Sequence, residues 1–531
     1  MKIENKSVLL ICRENTTYVM LELAKKLLKN KNDVSLFFVS SFESYYNKCQ
    51  HNKSTYYRAM ETGFKVYDLK DITIKFYEDI KKKKYEIDKD FFKEFEKDIE
   101  KYNLTLRLAL LSEQNLCKEY HNRFQNNNIE NKELLYWSEL VIKNVYRILK
   151  EAKPDIILDL ENVTLSRVGI LNYSKKNKIP YITIDYPRFE DYLIPTFNLG
   201  LSNETFIIKE YEKVLKEGNL EKELKEIAEY RRKKEILPDK FKGTITDYKI
   251  SFKKSLKIII SSILREFNIE IKNGNLRKKN FKLNLPLFEN PFKKIIFHFF
   301  YEIKKIISWY NLHKYFENPI DGEEYIYYPL HLIPESTTFM KAPFYIDELS
   351  MIKNISKALP YNYQLYIKEH QAMSGERPFS FYKELKKLKN IRIIKLNYYS
   401  DPKKIIEESK GVITIAGSTA LEANLLEKPV VVFGYVPYVN IKDIKVVGDI
   451  KDLVKNIQAF PSYKKDELKT AAYIKLIKIV GENIKLSKLI ASLERKYIKN
   501  KEECLKLESE IDKLYKLYEK GVYFYEKYRN E

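Results

Sequence analysis

The chain has 531 residues, 44% hydrophobic and 32% charged, a balance that supports packed cores in two or more domains and excludes a largely disordered chain. With 96 basic and 74 acidic residues its net charge is +22, which favours anionic partners such as phosphate, anionic lipid headgroups or nucleic acid. The four cysteines, Cys12, Cys49, Cys117 and Cys504, form no CxxC pair, so neither a thiolate metal site nor a disulfide framework is expected.

Residues 7–12, SVLLIC, read as a buried strand, 20–28 as a helix and 34–39 as a second strand. That order requires a right-handed crossover and a parallel sheet. The opening MKIENKSVLLICREN runs straight into the first strand without a long apolar leader, and no stretch approaches a spanning length of about 18 apolar residues. A cytoplasmic protein is therefore expected, with peripheral contact at the inner face of the cell membrane as an open addition. Helical sequence rich in Lys, Glu and Tyr fills 72–150. Strands resume at 156–160 and 181–184, around a helix at 165–176. These features define an N-terminal Rossmann-like domain over residues 1–225.

Residues 226–320 differ in character. Apolar and aromatic runs at 256–264 and 295–310 are interleaved with lysines, as in KKIIFHFFYEIKKIISWY, and 231–295 holds 18 Lys or Arg against 6 Asp or Glu. Such helices pack against the main domains or lie on an anionic membrane surface with their lysines snorkelling around an apolar face. Internal packing is the expectation. A second α/β domain follows over 321–463. Its strands at 325–329, 364–368, 391–394, 411–415 and 430–433 alternate with helices at 345–358, 378–388, 402–408 and 418–426. Regular alternation of this kind gives a doubly wound sheet, which binds ligands at the carboxyl ends of its strands.

The tail, 464–531, is helical. Leu493, Tyr497, Asn500, Cys504, Leu507, Ile511, Leu514 and Tyr518 are spaced alternately by four and three, as in a coiled-coil seam. That seam serves a homo-oligomer, an antiparallel hairpin or a helix folded back on the body.

Candidate site residues cluster where strands end. GVITIAGSTALEANLLEKPVVVFG, 411–434, reads as strand, tight turn, short helix and strand. Gly417 lets a ligand approach the backbone, Ser418 and Thr419 offer amides and hydroxyls, and Glu422 sits one turn on to accept from a ribose diol. A helix-capping role for Ser418 or Thr419 with Glu422 is the competing reading. Lys368 and His370 follow the strand at 364–368, with Arg377 before the next helix. Two cations and a histidine there suit a departing phosphate, which His370 can protonate. His331 and Glu335 follow the strand at 325–329 and are candidates for donor or acceptor contacts. In the N-terminal domain Arg13, Asp159, Glu161, Asp185 and Arg188 converge at strand ends, and Glu161 is the favoured proton acceptor for an acceptor hydroxyl.

Two of these segments also carry a resemblance. KEHQAMSGERPFSFYKEL, followed by NIRIIKLNYYSDPKKIIEESKGVITIAGSTALEANLLEKPVVVFG, resembles the capsule polysaccharide biosynthesis family over residues 325–438. The resemblance implies a GT-B-like α/β fold: two Rossmann-like, doubly wound domains facing a cleft, here with a helical middle segment and a long helical C-terminal tail. It implies transfer of a sugar such as Kdo from a CMP-linked donor. The same motifs are similar to the Lys-x-His-Pro and Ser/Thr-rich turns of bacterial sialyltransferases, where the histidine and the turn contact the CMP phosphate. By that likeness His370 matches the motif histidine, Ser418 and Thr419 the turn, and Glu422 the ribose carboxylate. Gln371 departs from the family's proline.

The expectation is a nucleotide-sugar-dependent glycosyltransferase of cell-surface or capsule-like glycan. Its C-terminal domain would hold the nucleotide sugar, and its N-terminal domain a glycan or lipid-linked glycan acceptor. No metal and no cofactor beyond the donor substrate is expected, since no DxD-like cluster stands at a strand end. Alternatives are a CDP-alditol-dependent polyol-phosphate transferase, a nucleotide-sugar epimerase and a basic nucleic-acid-binding protein. The last lacks any zinc-finger, RRM or KH-like motif.

Overall fold

Short runs of Val, Ile, Leu and Tyr, apolar on both faces, form strands that must be covered on both sides. The structure, a computed structural model, describes residues 2–39, 55–110, 131–202, 204–236, 253, 256–257, 260–261, 291–333, 335–370, 373, 375–395, 401–499 and 505–528. The first sheet draws on β1 (Ser7–Cys12), β2 (Asp33–Phe38), β3 (Lys65–Asp68), β4 (Ile156–Leu158), β5 (Tyr181–Asp185) and β6 (Tyr192–Thr196). The second comprises β7 (Tyr325–Pro329), β8 (Gln364–Lys368), β9 (Ile391–Ile394), β10 (Gly411–Thr414), β11 (Val430–Val432) and β12 (Lys445–Val446). β13 (Glu482–Asn483), from the tail, returns to the first sheet and pairs antiparallel with β6.

The first sheet runs β13-β6-β5-β4-β1-β2-β3 and the second β12-β11-β10-β7-β8-β9. Pairings from β3 through β5 are parallel, as are all those of the second sheet. In each sheet the chain winds outward in one direction, then crosses back and winds the other way. The order reverses between β1 and β4 in the first sheet and between β7 and β10 in the second. Those two switch points open crevices at the strands' carboxyl ends. The architecture is the expected α/β, GT-B-like pair of doubly wound sheets.

The tail is built into the first half. Leu493, Ile511, Leu514 and Tyr518 are buried. Tyr497 stacks on Tyr18 with centroids 5.0 Å apart. The Tyr515 and Tyr518 hydroxyls donate to Ile3 O and Asp159 O at 3.1 and 2.8 Å. The heptad-like stripe is thus used within the chain, the fold-back arrangement, while Asn500 and Cys504 lie outside the described residues. Strands β3, β6, β12 and β13 were not evident from the sequence. β3, β12 and β13 are short edge strands, and β6, just inside β13, pairs antiparallel with both β13 and β5.

The halves are clasped by a helix, Ser336–Lys341, at a place where the sequence pointed to a loop. Its Met340 is buried within the apolar cluster of the first half. Its Lys341 Nζ donates to both oxygens of Asp185 at 2.6 and 2.7 Å, and both side chains are buried. Arg231 Nε donates to Leu425 O at 2.8 Å, adding a further tie to the second half.

Candidate functional site

At the switch point of the second sheet, β7 and β10 deliver His331 and the turn Ile415–Gly417 to the same place. His331 is buried, with its backbone N–H donating to Glu348 Oε1 at 2.7 Å and Nδ1 lying 3.2 Å from the same oxygen. Nε2 lies 3.0 Å from Thr414 Oγ1 and receives the Ala416 N–H at 3.4 Å. An accepting Nε2 places the ring proton on Nδ1, facing Glu348. Gly417 N–H in turn donates to Thr414 Oγ1 at 3.3 Å. The imidazole therefore staples the loop after β7 to the turn after β10.

A side chain at position 417 would put its Cβ 2.9 Å from Thr414 Oγ1 and 3.5 Å from His331 Nε2. The protein's own hydroxyl demands this glycine, a reason the sequence did not reveal. Ser418 precedes the helix Thr419–Leu425 but caps it with no side-chain hydrogen bond. Its hydroxyl instead bonds the Glu422 carboxylate. Ser418 is exposed, Thr419 and Glu422 are partly buried, and the capping arrangement weighed from sequence is not formed.

Burial shifts both Glu422 and Lys368 toward neutrality. Burial lifts Glu422 to about 7; Asp401 adds to the rise, while the Ser418 hydroxyl and the Arg188 guanidinium oppose it. Burial lowers Lys368 to about 8, against the pull of Asp401. Asp401 thus acts on both, although β7 separates β8 from β10. Lys368 at the end of β8 and Ser418 after β10 therefore do not stand on neighbouring strands. Two strand spacings put them roughly 10 Å apart, a span suited to a nucleotide rather than to a single phosphate.

His370 is partly buried two residues beyond Lys368. Its N–H donates to Glu369 Oε1 at 2.7 Å, and its carbonyl accepts from Met373 N at 2.8 Å, closing a turn. Gln371 lies outside the described residues.

Arg377, expected to meet a ligand, is buried as a strut. Nε donates to both Glu369 oxygens at 3.1 and 3.0 Å, Nη1 contacts Glu348 Oε2, and Nη2 donates to His331 O. Burial works to raise the Glu348 carboxyl, yet Arg377 and His331 hold it below its ordinary value. Arg377 therefore positions His331 through Glu348. Glu335 lies exposed ahead of the clasping helix, where its carbonyl accepts from Phe339 N at 3.0 Å. That placement anchors the clasp rather than lining the crevice.

The switch point of the first sheet is built differently. Arg13, after β1, donates to Glu161 Oε2 at 3.0 Å, and Arg167 Nη1 lies 3.1 Å from the same oxygen. Arg167 also grips Asp159 with two bonds of 2.8 and 3.0 Å, and Tyr181 OH adds a third at 2.9 Å. Burial would raise Glu161, but the two guanidiniums outweigh it and hold its pKa below the ordinary value. Glu161 is consequently ionised but weakly basic, a poorer proton acceptor than its position suggested. Asp185 is bound to Lys341 and cannot serve as a base while the clasp is closed.

Arg188 reaches from the loop between β5 and β6 to act electrostatically on Glu422. Its φ of 65° is left-handed, unusual for a side-chain-bearing residue and a conformation the surroundings must enforce. Beside the clasp lies a small recess whose walls include Asp185, Thr196 and Glu204 from one half and Tyr435 and Asn440 from the other. Burial raises the Glu204 carboxyl there. Asp401, Lys341 and Glu204 escaped the sequence reading because none follows a motif or a strand recognised there. Among the described residues no group of three or more His, Cys, Asp or Glu side chains is arranged to hold a metal ion.

No protein-family profile matches the sequence, and no curated protein is significantly similar to it. Among solved structures, the chain is similar to the β-Kdo 2,7 transferase KpsC of Thermosulfurimonas dismutans. Identity is 10% and TM-score 0.27, over 67% of this chain and 87% of that one. A UDP-GlcNAc 2-epimerase from Neisseria meningitidis bound to UDP-GlcNAc aligns at 13% identity and TM-score 0.26, over 93% and 98%. The wall teichoic acid polymerase TagF aligns at 19% and 0.21, over 36% and 48%.

Proposed function

We propose that the protein is a nucleotide-sugar-dependent glycosyltransferase acting on a cell-surface or capsule-like glycan, with the donor held at the switch point of the second sheet. The observation that carries this reading is the pair Lys368 and Glu422, both shifted toward neutrality beside one crevice and both coupled to Asp401. Groups held against their preferred protonation cost stability and mark a site where charge is to be met. Lys368, protonated below about 8, would neutralise the donor phosphate, and Glu422 would hold the ribose diol.

In the transfer, the bond between the sugar carbon and the phosphate oxygen breaks, and the phosphate leaves with the electron pair. Lys368 stabilises the growing negative charge, a fixed electrostatic contribution of the kind that dominates many enzymes. His370 supplies a proton to the leaving oxygen. The acceptor oxygen bonds to the sugar carbon and passes its proton to solvent water at the edge of the first sheet. The motif resemblance narrows the donor to a CMP-linked acidic sugar.

A second reading uses the same grip on phosphate: transfer of an alditol phosphate from a CDP-linked donor. Product analysis separates the two. With a glycosyltransferase all donor phosphate stays on the released nucleotide, whereas alditol-phosphate transfer carries one phosphate into the polymer. Conversion of the sugar without any acceptor would instead establish an epimerase.

A further inference from the structure

The helix Pro291–Leu312 is mounted with its faces reversed relative to an ordinary surface helix, which turns its apolar stripe to the core. Tyr301 and Lys305 face the body, both bonding the buried Glu376, Lys305 Nζ at 2.6 Å. Glu302 and Leu312 are buried on that side as well. The opposite side carries Ile296, Phe299, Phe300, Ile307 and Tyr310, each between 44% and 71% exposed. At about 100° per residue these five fall on one stripe, spanning four turns. A polar face has been given to the protein and an apolar one to the outside.

The charges around this stripe indicate what covers it. Lys304 is exposed on the flank of the helix. Upstream, Leu256 and Ile260 are exposed helical residues one turn apart, and exposed Lys253 and Lys257 repeat at the same spacing. The 231–295 segment carries 18 basic against 6 acidic residues. Bulky apolar side chains flanked by Lys304, in a stretch of sequence rich in lysine, fit the boundary between acyl chains and anionic headgroups, where lysine stems lie along the apolar layer and the ammonium groups meet phosphate. No helix among the described residues is long and apolar enough to cross a membrane, so such contact is confined to the surface.

We infer that this stripe docks the protein on an anionic lipid bilayer, with Phe299, Phe300 and Ile307 seated in the interface. The inference does not depend on the reaction proposed above. The test is co-sedimentation of the full chain with vesicles of 30% phosphatidylglycerol in phosphatidylcholine, against pure phosphatidylcholine, at 0.1 M and 0.5 M salt. Binding is expected on anionic vesicles only, weakened at high salt, and reduced at least tenfold in Phe300→Glu/Ile307→Glu.

Tyr361→Ser, which removes another fully exposed aromatic, should bind as the parent does. Hydrogen exchange on vesicles should slow over residues 291–312 specifically. Equal recovery in the supernatant with both vesicle types would overturn the proposal, as would undiminished binding of the double variant. A dimer that the double variant dissociates, with no vesicle binding by either protein, would overturn it in favour of a second copy.

Discussion

The two switch points answer the same topological problem with different electrostatics. In the first sheet the acidic groups after β4 and β5 are paired at short range: Arg13 and Arg167 meet Glu161, Arg167 holds Asp159, and Lys341 holds Asp185, although burial still raises Asp159 and lowers Lys341. In the second sheet Lys368 and Glu422 sit partly buried with protonation equilibria displaced toward neutral pH, while the matched charges, Arg377 with Glu348 and Glu369, lie behind them as support. Matched charges stabilise a frame. Displaced ones are retained at a cost, and that cost is the ground on which the second crevice is proposed to bind a charged ligand.

The comparison can be broken in four places. Replacing Arg167 with Ala leaves Asp159 buried beside no guanidinium, and the loss of stability is expected to be about 3–5 kcal/mol in denaturant unfolding. A small loss would show that the first switch point is less tightly built than its contacts indicate. Lys368→Met should lower donor turnover about 100–1,000-fold, in line with removal of one fixed electrostatic donor. The same variant should be more stable than the parent at pH 7.

The sign of that stability change follows from the shift. Folding lowers the Lys368 pKa from 10.5 to about 8, so the folded protein loses stability as pH falls through that window, and the penalty is constant below it. Removing the amine should recover about 1–3 kcal/mol at pH 7, allowing for solvent screening, and almost nothing at pH 10.5. Glu422 works in the other direction. Its pKa is raised from 4.5 to about 7, so ionisation destabilises the fold as pH rises through that range. Glu422→Gln should gain about 1–2 kcal/mol at pH 8 and nothing near pH 4, while weakening donor binding. A destabilised Gln variant at pH 8 would assign Glu422 to the frame instead.

The smallest effect is expected from Glu161→Gln. A carboxylate clamped by two guanidiniums is a weak base, and turnover should fall less than about tenfold. A loss of about 1,000-fold or more would return the proton-acceptor role to Glu161.

Much of the fold was legible because strongly patterned strands dominate it. The spans Tyr325–Pro329, Gln364–Lys368 and Ile391–Ile394 and the helix Leu165–Lys176 match the sequence reading residue for residue. What the sequence hid were pairings between distant segments. No local pattern shows that Tyr518 and β13 belong to the first half, that Lys341 reaches Asp185, or that Asp401 stands near both Lys368 and Glu422. Position after a strand drew attention to residues near the strand ends, but did not show which of them are buried as struts. Arg377 and Lys368 look alike in sequence. Only the buried carboxylates Glu348 and Glu369 around Arg377 tell them apart.

Calorimetric titration of CMP-, CDP-, UDP- and GDP-linked sugars into the parent, Lys368→Met and Arg13→Ala proteins addresses the central assignment most directly. The expected outcome is binding of at least one donor by the parent, at least tenfold weaker binding by Lys368→Met, little change in Arg13→Ala, and loss of affinity in the parent as pH rises above about 8. Donor affinity unaffected by Lys368→Met but abolished by Arg13→Ala would move the nucleotide to the first sheet and contradict the account.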